Sequence, residues 1–179
     1  MTEIVIRAAV EGDQGVLAVL SASVQDLHVA ERPDVFKAVD LDALKAWFGQ
    51  ALADPISRIL IAEVSGTPAG YAVLMDGSRA ENAFAHARKW REVDQIGVLP
   101  AYRRQGLARV LVEYAAESAL SDGIQTLELN AWAFNDAARV SFRRLGFGEK
   151  NLRYERPTTR ASGPPSNTVL QRRGLAPRR

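Results

Sequence analysis

The chain has no cysteine among its 179 residues, and only two histidines and two methionines. Without thiols it can form no disulfide, no thiolate metal site and no nucleophilic cysteine. His28 and His86 stand too far apart in sequence, and too isolated, to suggest a metal centre, so no metal is expected. Long apolar runs are also missing: nothing approaches the roughly 20 residues needed to cross a bilayer, which argues against a membrane partner. Met1-Thr2-Glu3-Ile4-Val5-Ile6 opens as an alternating strand and not as a signal peptide, and a cytoplasmic location is the expectation. An excess of one charge is missing too, for the net charge is only +2. It is unevenly spread: from Lys150 onward eight basic residues and one acid give +7, whereas residues 1–149 carry −5. The folded part is therefore mildly acidic, which argues against a nucleic-acid partner.

What is present is the alternation of one α/β domain, expected over residues 1–156, followed by a basic tail at 157–179. That tail has four prolines, two glycines and little that can pack, and is expected to be loosely held. A first strand is predicted at 4–7, then a helix capped by Asp13 and running to about Val29, broken before Pro33. Leu41, Leu44, Phe48 and Leu52 have helical spacing. Two apolar runs, 57–64 and 70–75, flank Ser65-Gly66-Thr67-Pro68 and read as a hairpin. Residues 76–88 read as a long loop with room for a helical turn. Strands are predicted at 90–98 and 125–131 and a helix at 105–121. Asn135 is expected to cap a helix over 136–145 that ends at Gly146, with a last strand over 147–155.

One segment carries most of the chemistry. Arg103-Arg104-Gln105-Gly106-Leu107-Ala108-Arg109 follows an apolar strand and opens an amphipathic helix. A helix N-terminus presents unsatisfied amides and the positive end of a dipole, a natural site for phosphate. Gly106 allows close backbone approach, and Arg103, Arg104 and Arg109 add charge and multidentate donors. A single loop glycine excludes both the nucleoside-triphosphate loop and the dinucleotide fingerprint.

The pattern R-x-x-G-x-A resembles the acetyl-coenzyme A signature of the GNAT family of N-acetyltransferases. Glu92-Val93-Asp94-Gln95-Ile96-Gly97-Val98 is similar to that family's central strand. Leu127-Glu128-Leu129-Asn130, Asn135-Asp136-Ala137-Ala138 and Leu145-Gly146-Phe147 follow in the family's order. The resemblance implies an α/β fold with a mixed, mostly antiparallel sheet of six or seven strands, flanked by helices and splayed at its middle. It also implies that acetyl-CoA is the co-substrate. Pantetheine would lie in the splay against backbone groups of Ile96, Gly97 and Val98, with Asn135 and Ala138 contributing from the following helix. The acceptor would be a small-molecule or peptide amine, and relatives often dimerise, although no residue pattern here specifies an interface.

Transfer of an acetyl group from a thioester to an amine needs a base, an oxyanion stabiliser and a proton for the thiolate. Glu92 and Asp94 are the candidate bases, with a water chain as the third option. On a regular strand the two carboxylates share a face with Ile96 and Val98, unless a bulge intervenes. The general acid stays open, because the position where the family usually has tyrosine is Phe142; Tyr102, Tyr154 or a water are the alternatives. His28 falls in the early helical region that shapes the acceptor pocket in relatives and is a candidate substrate contact. Trp47, Phe48, Phe84, Trp90, Trp132 and Phe134 read as core or pocket wall. A non-catalytic acyl-CoA-binding module, or transfer of a different acyl group, are the alternative functions.

Overall fold

A computed structural model describes residues 3–156 and Thr158. The chain separates into two compact units, Met1–Gly148 and Glu149–Arg179, and all the regular elements described below lie in the first. The tail from Pro157 lies outside the described residues, Thr158 apart.

Five strands form one sheet in the order β1-β2-β3-β4-β5: β1 (Ile4–Ala8), β2 (Ser57–Val64), β3 (Thr67–Arg79), β4 (Arg88–Val98) and β5 (Leu127–Leu129). The first four pair antiparallel and β5 pairs parallel to β4. Four helices accompany them: α1 (Gln14–Glu31), α2 (Leu41–Ala53), α3 (Leu107–Ser121) and α4 (Asp136–Arg144).

The central strands are buried on both faces, which is why they read as apolar runs. Ile59, Ile61, Tyr71 and Val73 point to one side and pack with Leu17 and Leu20 of α1 and Phe48 of α2. Leu60, Ala62, Val64, Ala72 and Leu74 point to the other and pack with Leu107, Leu111 and Ala115 of α3. Each of these layers follows from the period-two alternation of the strands against the helical stripe facing them.

Several elements differ from expectation. Residues 147–155 form no strand, so the six or seven expected strands are five among the described residues. The chain turns at Gly146, the Phe147 amide bonds back to the Phe142 carbonyl at 3.0 Å, and Leu152 and Tyr154 are exposed, leaving the alternation without a buried face. The loop expected at 76–88 shrinks to 80–87, because β3 and β4 continue as a long hairpin. Two contacts extend it: Asp76 grips the buried Arg91 with both oxygens, at 2.7 and 2.8 Å, and the Trp90 ring covers Gly77, where a Cβ would come within 2.3 Å of it. The loop holds no helical turn; the Asn82 carboxamide accepts from the amides of Phe84 and Ala85. Asp13 stands at the start of α1, but its carboxylate is engaged by Arg7 and the Val10 amide and caps no helix amide. Asp40 does cap α2, accepting from Asp42 and Ala43.

Candidate active site

β4 carries the site, and its local geometry turns on one extra residue. Leu74 pairs with Val93 and Val73 with Gln95, so Asp94 is the additional residue of a bulge. The bulge reverses the side-chain parity along the strand. Val93 before it, and Ile96 and Val98 after it, all face the α3 layer. Glu92 therefore does not share a face with Ile96 and Val98. Its carboxylate instead accepts from the Asn130 carboxamide just beyond β5.

β5 stays with β4 only from Arg91–Val93 against Leu127–Leu129 and then leaves. Beyond Val93 no strand among the described residues lies beside the far edge of β4, and this is the splay. The Leu99 amide bonds to the Ala69 carbonyl on β3 at 2.9 Å. Backbone groups alternate in direction along a strand, so those of Ile96 and Val98 face the open edge. The Val98 carbonyl already accepts one bond there, from Arg103 Nε at 3.1 Å. Gly97 faces the other layer, where a Cβ would come within 2.6 Å of both Tyr71 and Val24.

The chain then makes a short 3-10 turn at Pro100–Tyr102 and enters α3. Arg104 and Gly106 both take left-handed φ, 64° and 91°, and Gly106 is the residue immediately before the helix. A Cβ at Gly106 would meet open space, so the backbone conformation, not crowding, calls for glycine here. The first helix amide to find a carbonyl is that of Val110, on Gly106 at 3.0 Å, which leaves Leu107, Ala108 and Arg109 with outward-pointing amides. Arg103, Arg104, Gln105 and Arg109 are exposed around them, and Leu107 is buried as the anchor of the turn. These groups fit a diphosphate: amides at a helix start, an uncrowded glycine and three guanidinium groups. Arg109 also reaches Glu113, 3.4 Å away on the exposed face of α3.

A cavity of about 540 Å³ runs along the open edge of β4 and under α1 and α2. Asp94, Gln95 and Ile96 line it from the strand; Leu129, Asn130, Ala131 and Trp132 from the chain leaving the sheet; Asn135, Ala138 and Phe142 from α4. His28 lines it too, so the cavity brings together Asp94, Ile96, Asn135, Ala138 and His28. Glu92 is not a wall residue and meets the cavity through Asn130. Asn135 also caps α4, accepting from the Ala138 amide at 3.1 Å. Phe142 packs edge-on against Phe147.

Aromatic rings form the remaining wall. His28, Phe36, Trp132 and Phe134 make one cluster, with centroid separations of 4.8 to 5.7 Å. Trp47, Phe48 and Tyr71 make another. His28 is held by Nδ1 donating to the Val24 carbonyl at 2.8 Å, a tautomer that leaves Nε2 as an acceptor in the neutral ring. Two of the expected wall aromatics lie elsewhere: Phe84 is almost fully exposed at the hairpin tip, and Trp90 stacks between Gly77 and the Arg88 guanidinium. Sequence reasoning missed Tyr71, Gln95, Asn130 and Phe36. Tyr71 carried a signal, since a phenol inside an aliphatic strand needs a polar partner.

Comparison with known proteins agrees with this geometry. The family model described as the Acetyltransferase (GNAT) family matches residues 21–147. The ribosomal protein bS18-alanine N-acetyltransferase of Escherichia coli is 42% identical over 58 residues, which are 32% of this chain and 39% of that enzyme. The chain thus spans well under half the length of the curated relatives it matches. Among solved structures, a variant of the BH1408 protein of Bacillus halodurans superposes with a TM-score of 0.81 at 23% identity, over 87% of this chain and 99% of that one. The aminoglycoside N-acetyltransferase AAC(6')-Iy, described in complex with CoA, superposes with a TM-score of 0.67 at 19% identity, over 89% and 97% of the two chains.

Proposed function

The chain belongs to the GNAT family of acetyltransferases, and from that premise we propose that it transfers an acetyl group from acetyl-CoA directly to a primary amine. One observation carries the reading. The backbone of Ile96 and Val98 faces an open sheet edge that runs from the amide-rich turn at 103–109 into a cavity holding a carboxylate.

Bound acetyl-CoA would supply an activated thioester carbonyl. Gly106, Leu107, Ala108 and Arg109 would hold its diphosphate through backbone amides, with Arg103, Arg104 and Gln105 around them. Ile96 and Val98 would orient the thiol arm along the edge of β4, opposite Asn135 and Ala138; Gly97, expected to share in this, is turned to β3 and takes no part. Asp94 is the carboxylate on the cavity wall and is assigned as the base that accepts the proton of the attacking ammonium. Glu92, bonded to Asn130, is assigned the supporting role of orienting that carboxamide and any water it holds. Amides on the open edge of β4 are suited to stabilise the tetrahedral oxyanion. The amine, freed of its first proton, would form the nitrogen–carbon bond and the oxyanion; on collapse the carbon–sulfur bond would break, and the nitrogen's second proton would pass through water to the departing thiolate, since Phe142 has none to give.

Phe142 on the cavity wall favours a second reading, a module that binds acyl-CoA without turning it over. Acetyl-CoA titrated into the purified protein in a calorimeter, followed by a thiol-release assay with a panel of amines, tests both. Amine-dependent thiol release supports the transferase. Tight binding with no amine-dependent release supports the module, and absence of binding removes both.

A further inference from the structure

Resting on the acetyltransferase reading, we propose that the acceptor is a monoamine carried on an aromatic or flat apolar body. Asp94 is the single formal charge among the described residues that line the cavity; no lysine or arginine lines it. One carboxylate balances one ammonium. A polyamine or an aminoglycoside brings several ammonium groups into the same space, where the walls offer rings instead of further carboxylates.

Those rings are the second half of the argument. Trp132 and Trp47 line the cavity yet remain 39% and 42% exposed, so flat apolar surface is presented where a ligand would sit. Trp132 is held in place by Phe36, edge-on at 5.2 Å, and by Phe134, stacked at 5.7 Å. Rings fixed in this way suit offset or edge contacts with another ring. Over Trp132 the Arg32 guanidinium, held by both Asp34 oxygens at 2.8 Å, lies 5.5 Å from the ring centroid and already takes the cation position on that ring. An amine at Asp94 with its ring against Trp132 and Phe36 therefore satisfies the charge and the apolar walls together.

The experiment measures thiol release by the full chain with acetyl-CoA and 2-phenylethylamine, tryptamine, spermidine, kanamycin or an alanine-initiated tripeptide. The expected result is a kcat/KM for the two arylalkylamines at least about tenfold above the other three, a difference in proportion to one good ring contact. Trp132→Ala is expected to raise KM for 2-phenylethylamine about tenfold with the acetyl-CoA Kd unchanged. Equal or faster turnover of spermidine, kanamycin or the tripeptide overturns the acceptor class, as does an unmoved KM in Trp132→Ala. Bound acetyl-CoA with no arylalkylamine consumed overturns the acceptor class alone, whereas failure of acetyl-CoA to bind in calorimetry removes the acetyltransferase reading beneath it.

Discussion

The Tyr71 hydroxyl donates to the Gln95 carboxamide oxygen at 3.1 Å, across the β3–β4 pair and one residue past the bulge at Asp94. Burial, and after it the negative charge of Asp94, hold the Tyr71 phenol well above its ordinary pKa. The cavity floor thus pairs a phenol that stays protonated with a carboxylate that the bulge turns toward the same space.

Asp94→Asn should therefore lower kcat about 100-fold, the lower end of what a positioned base contributes, with acetyl-CoA affinity kept within about twofold. Glu92→Gln should lower it less, because Glu92 reaches the cavity only through Asn130. Steady-state rates across pH 6–9 check this; a larger loss in Glu92→Gln than in Asp94→Asn would exchange the two roles.

Gly97→Ala should destabilise the fold by about 1–3 kcal/mol, the usual range for overpacking. The added methyl would stand 2.6 Å from both Tyr71 and Val24, and so would press α1 away from the sheet. Urea denaturation of wild type and variant gives the number.

Arg103→Glu combined with Arg104→Glu should abolish acetyl-CoA binding while leaving the melting temperature within a few degrees, since both side chains are exposed. Gly106→Ala should also cost stability, about 1–2 kcal/mol for a Cβ forced into left-handed backbone. Calorimetry with acetyl-CoA and a thermal melt separate the two effects.

Arg91→Ala should destabilise by about 3 kcal/mol, the lower end for breaking a buried ion pair, because both partner carboxylates are about a third exposed and can be rehydrated. Arg91 is fully buried, holds Asp76 with two bonds, and reaches Ser118 and Asp122 at 2.8 Å, so it ties β3 and β4 to the end of α3. Equilibrium unfolding in urea measures the loss.

Stability should fall on acidification below about pH 4, the ordinary carboxylate value. Hydrogen bonds from Arg91 hold Asp76 and Asp122 below that range, and Arg7 does the same for Asp13. For groups with depressed folded pKa values the contribution is complete above the unfolded value and disappears as pH drops through the folded one. Urea midpoints from pH 7 to 2.5 trace the decline, and Arg91→Ala should flatten it.

Much of this is legible in the sequence. The turn into α3 declares itself through Gly106 among arginines, the hairpin through Ser65-Gly66 between apolar runs, and the start of α4 through Asn135. The bulge is silent because it needs no glycine: Asp94 fits the polar–apolar alternation equally well whichever way it points, so the sharing of a face by Glu92 and Ile96 looked plausible. Arg91 is silent for a related reason. An arginine between Trp90 and Glu92 reads as a solvent-facing position until Asp76 and Asp122, 15 and 31 residues away, are brought to it by the fold. The wall formed by His28, Phe36 and Trp132 joins residues from three separate stretches of chain, and no local pattern announces such a meeting.

The brevity of β5 has a consequence for how ligand arrival can be watched. With three paired residues and then departure, β5 leaves the amides of Ile96 and Val98 to be satisfied by solvent until a thiol arm lies alongside. Their deuterium uptake should be fast compared with Gly97, whose amide is locked to β3, and should slow when acetyl-CoA binds. Two alternate positions on one strand thus become an internal clock for occupancy, with the residue between them as its reference.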